Sequence, residues 1–146
     1  MADNKKGIFI TMEGPDGSGK TTQIHLLSEF LKKNNYDVII TREPGGTNIG
    51  EAVREILLNP EFKEMDPTTE LLLYTAARAQ LMAQVIRPAL EAGKAVISDR
   101  FIDSALVYQG IARGLGVDNV YNVNQYAVQG CMPDMTFLLD LTAEEG

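Results

Sequence analysis

The sequence predicts an α/β fold, a parallel sheet flanked by helices on both faces, and three observations predict it. Apolar runs of strand length alternate with longer helical patterns, the rhythm of βαβ units. The first run ends directly in a glycine-rich loop that opens a helix. The chain has 146 residues, 45% of them hydrophobic, enough for one packed core. A single domain spanning residues 1–146 is the expectation.

Four strands are readable. The first is residues 7–13 (GIFITME), followed by the loop and a helix over about 20–34, where Ile24, Leu27 and Leu31 share one face. The second is 37–42 (DVIITR). Past the turn at Pro44 to Gly46 comes a short amphipathic helix with Ile49, Val53 and Ile56, then a loop to Asp66. Asp66 reads as an N-cap with Pro67 at the first helical position of a long helix towards Gly93, which Pro88 kinks or divides. The third strand is 94–99 (KAVISD) and the fourth 135–140 (MTFLLD), with helical material between 102 and 129. Ending at Gly146, just after a buried-type strand with no helix to cover its edge, the chain reads as truncated, with a last strand and a lid missing.

Thirteen Lys and Arg against twenty Asp and Glu give 13 − 20 = −7, which argues against a broad basic surface and a nucleic-acid partner. The single cysteine, Cys131, forms no internal disulfide, and the single histidine, His25, builds no His-based metal site. The apolar run at residues 8–12 is too short for a signal peptide or a membrane span. A soluble cytoplasmic protein without a membrane partner is expected. Cys131 reads as a small buried hydrophobe, His25 as a surface or packing residue, and Met132 and Met135 as core.

Gly14, Pro15, Asp16, Gly17, Ser18, Gly19, Lys20 and Thr21 match GxxxxGK[ST], placed after a strand and opening a helix. Glycines let successive backbone N–H groups turn inward around phosphate oxygens, and the helix dipole adds positive potential there. Lys20 supplies a point charge for the outer phosphates, and the Thr21 hydroxyl is a ligand for Mg²⁺. The expected nucleotide-binding stretch runs from Gly14 through Thr22, and the fold it implies is that of a P-loop NTPase.

Arg42, Arg54, Arg78 and Arg100 lie at strand ends or on the helices that follow, the edge where open α/β sheets bind ligands. Guanidinium groups there grip phosphate and neutralise charge during its transfer. Arg54 and Arg78 read equally well as members of surface salt bridges. Asp99, closing the strand AVISD, is placed to hold Mg²⁺ or its waters, or else to cap a helix. Asp16 sits among phosphates, an awkward place for a carboxylate unless it faces a hydroxyl or the metal.

The phosphate loop, TREPGGTNIGEAVR (Thr41 to Arg54) and DRFIDSALVYQGIARG (Asp99 to Gly114), in this order, resemble bacterial thymidylate kinase from about Ile8 to Glu144. The resemblance implies transfer of the ATP γ-phosphate to dTMP, giving dTDP and ADP, with Mg²⁺ held at Thr21 and Asp99. It implies catalytic roles for Asp16, Lys20, Arg42, Asp99 and Arg100. Arg42 and Arg100 would hold the dTMP phosphate with Arg54 in support. Tyr74 would stack on thymine, Arg78 would donate to a base oxygen, Gln109 would read the base edge, Tyr108 would crowd the 2′ position and Asp16 would meet the 3′-hydroxyl. Tyr74 and Arg78 are spaced i and i+4, on one helix face.

This chain has Ala105 where the family usually has Ser or Thr, which leaves more of the base reading to Gln109 or to a substituting water, and Tyr74 for the more usual Phe. Gly17 stands where one branch of the family has an arginine; the branch without it takes its basic residues from the lid, so the 146-residue chain by itself is expected to be weakly active or inactive as a kinase. The family is typically homodimeric, and the helices after Pro67 and Ile102 would provide the interface. The competing readings are a P-loop kinase for another nucleotide and a nucleotide-binding fragment without catalysis.

Overall fold

The structure, a computed structural model, describes residues 6–140. What was expected of the chain's first residues and of its end beyond Asp140 lies outside them. The chain divides into two compact units. One comprises residues up to 42, residues 86–101 and residues from 132 on; the other comprises residues 43–85 and 102–131.

The first unit holds a four-stranded parallel sheet in the order β2-β3-β1-β4, formed by β1 (Ile8–Glu13), β2 (Val38–Arg42), β3 (Ala95–Asp99) and β4 (Met135–Leu138). Each expected strand is present, shorter by one or two residues. Residues Ala95 to Ser98 of β3 are fully buried, as a strand paired on both sides and covered on both faces requires. Helix α1 (Lys20–Lys33) turns Ile24 and Leu31 into a core with Ile10, Met12, Ala95 and Ile97, and Leu27 packs at its border. Full burial of each large aliphatic chain is worth about 1.5–3 kcal/mol. Phe9 meets Phe101 edge to face, with ring centroids 5.0 Å apart. Gly7 admits no side chain, because a Cβ would stand 2.6 Å from the Leu90 backbone.

The sheet register decides what its edge presents. Arg42 pairs with Asp99 and Asp99 with Met12, so the carboxyl ends of three strands finish at one level. β4 departs from expectation, because all four of its residues are exposed. Among the described residues it is paired to β1 alone. Met132 and Met135, read from sequence as core, are 37% and 52% exposed. Cys131 is half-buried and His25 is exposed.

The second unit is helical. Thr47 caps α2 (Asn48–Leu58) by accepting from the Gly50 N–H, yet Ile49 and Ile56 of this helix are exposed. α3 (Pro67–Leu81) starts as predicted, with the Asp66 carboxylate accepting from the Thr68 N–H at 2.9 Å. The long helix then widens into a π turn over Met82–Ile86, where the chain passes back into the first unit and continues as α4 (Arg87–Glu91). Pro88 explains the break: a proline lacks an N–H and crowds the carbonyl four residues back, here that of Gln84 in the π turn. The material after Ile102 is also interrupted. A short α5 (Ile102–Ala105) runs into π-helical Leu106–Ala112, and α6 (Val117–Val128) follows a turn. Leu71, Ala105 and Val120 form the core joining α3, α5 and α6.

Candidate functional site

The loop that leaves β1 takes a path open only to glycine. Gly17 and Gly19 have φ of 79° and 89°, and a Cβ at either would meet nothing within 4 Å, so conformation and not space demands glycine. Gly14 needs it for both reasons, since its φ is 149° and a Cβ would stand 2.9 Å from the Leu139 carbonyl. Gly19 precedes α1 without a side chain to cap it. The amides of the first turn are thus presented to an anion at the positive end of the helix.

Lys20 is only 7% exposed, and its Nζ donates to Asp99 Oδ1 at 2.9 Å. The pair links the start of α1 to the end of β3 and holds the ammonium at the sheet's carboxyl edge. Thr21 and Thr22 are exposed on the first turn of α1. Exposed Arg42 ends β2 in register with Asp99.

Arg100 follows Asp99 with φ of 70°, the left-handed region, at a non-glycine position. Three hydrogen bonds hold it there. Its own N–H donates to the Met12 carbonyl at 2.9 Å, the Ser98 hydroxyl donates to the Arg100 carbonyl at 2.7 Å, and the Phe101 N–H donates to the buried Glu13 carboxylate at 2.5 Å. Backbone strain of this kind costs about 1–3 kcal/mol and persists where neighbours fix it. Arg100 Nη2 then reaches Asp16 Oδ1 at 2.7 Å, an ion pair whose Asp16 side chain is 95% exposed. So open a pair adds little stability, and its partners are available to ligands.

In the second unit, Arg54 donates from Nη1 to the Pro44 carbonyl at 3.0 Å, and Glu51 accepts from the Gly46 N–H at 3.1 Å. Together they fix the PGG turn. Arg78 is fully buried. Its Nε donates to both Glu43 oxygens, its Nη2 donates to Glu43 Oε2 at 2.5 Å and its Nη1 donates to Asn124 Oδ1. Burial pushes the Glu43 carboxyl above its ordinary range, and the Arg78 charge pulls it back. Tyr74 is half-buried, Tyr108 is 47% exposed and Gln109 is buried, the last two on the π-helical segment. The Arg78 ion pair with Glu43 lies in the interior and not at the surface.

Asp16, Lys20, Asp99 and Arg100 are thus joined in pairs within the first unit, while Arg54, Tyr74, Arg78, Tyr108 and Gln109 belong to the second. Sequence reading missed Glu13, Glu43 and Asn124. The signals were faint ones: an acid closing an apolar strand, an acid after Arg42, and one of three Asn in a helix, at helical spacing from Val120, Ala127 and Val128.

The parallel sheet and its glycine loop define a P-loop nucleotide-binding protein. A family model described as "Thymidylate kinase" matches residues 12–146. The thymidylate kinase of Bacillus licheniformis is 54% identical over 140 residues, 96% of this chain and 66% of that protein. That of Halothermothrix orenii is 55% identical over 141 residues, 97% of this chain and 68% of that protein. The crystal structure of thymidylate kinase from Ehrlichia chaffeensis superimposes with a TM-score of 0.85 at 42% identity, covering 96% of this chain and 79% of that one. The chain belongs to the thymidylate kinase family. It spans about two thirds of the length of the curated relatives it matches.

Proposed function

We propose that the chain serves transfer of the ATP γ-phosphate to dTMP, giving dTDP and ADP, within one kinase domain. The observation that carries this reading is the Lys20–Asp99 pair beside a glycine loop whose left-handed turns present backbone donors to phosphate. Residues Gly14 to Thr22 hold the ATP phosphates. Lys20 lies against the outer ones. Arg42 and Arg100 take the dTMP phosphate, and Asp16 meets the deoxyribose 3′-hydroxyl. Arg54 supports the REPGG turn, Tyr74 stacks on thymine, Arg78 donates to a base oxygen, Gln109 reads the base edge and Tyr108 crowds the 2′ position.

Such a reaction needs no covalent intermediate: two anions are aligned, charge-compensated and kept from water. The donor set suits Mg²⁺. No group of three or more His, Cys, Asp or Glu able to hold a metal occurs among the described residues, and a hydroxyl at Thr21 with a carboxylate at Asp99 fits an ion that takes its other ligands from phosphate and water. Held there, the ion would neutralise charge on the phosphates.

No helix among the described residues is long and apolar enough to cross a membrane, and a cytoplasmic location fits the single cysteine. Exposed apolar side chains on α3 and α6, among them Leu72, Val117, Tyr121 and Tyr126, support a homodimer. Incubation of the chain, extended by the lid segment that its sequence leads one to expect, with γ-labelled ATP and dTMP tests the reaction. Label is expected in dTDP; label appearing only as inorganic phosphate would refute transfer. Tight dTMP binding without any transfer favours a nucleotide-binding module instead.

A further inference from the structure

Arg78 is 2% exposed, and its donors run to two different elements. Glu43, before the PGG turn, takes the Nε and Nη2 edge of the guanidinium, and Asn124 on α6 takes Nη1. A planar guanidinium held along one edge and at the remaining nitrogen cannot turn about its last torsion. Asn124 is fixed in its own turn. It is wholly buried, and its Nδ2 donates to the Val120 carbonyl at 2.8 Å, which directs Oδ1 at Arg78. The Glu43 carboxylate likewise has no room to reorient, being 7% exposed and engaged by two donors of one guanidinium.

We propose that Asn124 and Glu43 are positioning residues for pyrimidine selectivity, fixing the Arg78 guanidinium so that it faces a 4-oxo group and rejects a 4-amino group. The proposal rests on the reading of Arg78 as the donor to a base oxygen. An arginine has donors only, so a thymine carbonyl satisfies it and a cytosine amino group, itself a donor, does not. Such discrimination is strong only while the donor cannot swing away. The Oδ1 of Asn124 prevents that swing on the side Glu43 does not hold.

Calorimetric titration of dTMP, dCMP and ATP into wild type and the variants Asn124→Leu, Asn124→Ser, Asn122→Ala and Arg78→Met tests this. Asn124→Leu is expected to lower the dTMP-to-dCMP affinity ratio about tenfold, the worth of one hydrogen bond to a charged group, with ATP affinity unchanged. Exposed Asn122, on the same helix, serves as control, and its variant should keep the ratio. If the leucine variant does not fold, Asn124→Ser, which is smaller and polar, carries the same expectation. Nitrogen NMR of the Arg78 side chain adds an independent readout: separate, slowly exchanging Nη signals in wild type, merged in the Asn124 variant. An Arg78→Met variant, which has no donor, that keeps the wild-type ratio would overturn the base-oxygen reading and this proposal with it. A ratio that collapses in Arg78→Met but survives in both Asn124 variants would overturn the proposal alone, as would merged Nη signals in wild type.

Discussion

Phe101 donates its backbone N–H to the Glu13 carboxylate at 2.5 Å, and this bond, between residues 88 apart in sequence, fixes the left-handed turn at Arg100. Glu13 ends β1 beside the phosphate loop, so one carboxylate joins the strand that feeds the loop to the turn that aims the arginine. Replacing it by Leu would leave a buried N–H unpaired, at a cost of about 1–3 kcal/mol in urea unfolding. Glu13→Gln keeps an acceptor oxygen and should recover most of that loss. Equal losses in both variants would show that the hydrogen bond does not hold the turn.

The two ends of the proposed transfer should separate under mutation. Arg100→Ala is expected to weaken dTMP binding about 10-fold to 100-fold, the range for a lost charge-assisted contact, and to leave ATP binding nearly intact. Lys20→Ala should do the reverse, and it also leaves Asp99 without its 2.9 Å partner. Calorimetric titrations of each ligand into each variant check both statements. Parallel losses of both ligands in both variants would contradict the assignment.

Glu43 predicts a pH dependence whose sign follows from its environment. Burial raises its carboxyl above 4.5, with Arg78 opposing, so the folded chain binds this proton more tightly than the unfolded chain does. The contribution is fully present below the unfolded value and is lost as pH rises through the folded one. Glu43→Gln does not titrate, so its melting temperature should gain on that of wild type as pH rises from about 4 upward. A constant difference, or one that moves the other way, would count against a raised Glu43.

What the sequence made legible was local. The phosphate loop, the Asp66 cap with Pro67, the helix starting at Lys20 and the division near Pro88 each depend on neighbours within a turn or two, and each appears where expected. The less legible features depend on partners far along the chain. Glu43 and Asn124 stand 35 and 46 residues from Arg78, and no pattern in sequence pairs them. The fourth strand shows the other limit: the apolar run MTFLLD signals a strand, but its burial depends on what packs against it, and Met135 to Leu138 are exposed. The π-helical path of Tyr108 and Gln109 is likewise invisible to helical periodicity.

A panel of acceptors separates transfer to dTMP from every alternative. The chain, extended by the lid segment that its sequence leads one to expect, is supplied with ATP and Mg²⁺ and, in separate assays, dTMP, dUMP, dCMP, dGMP, AMP and UMP, and ADP release is followed for each. The fastest release is expected with dTMP, with dCMP and the purine nucleotides at least about 10-fold behind, since a missing or reversed hydrogen bond to a base costs that much. Release that is equal across the panel, or fastest with a purine monophosphate, would contradict that expectation.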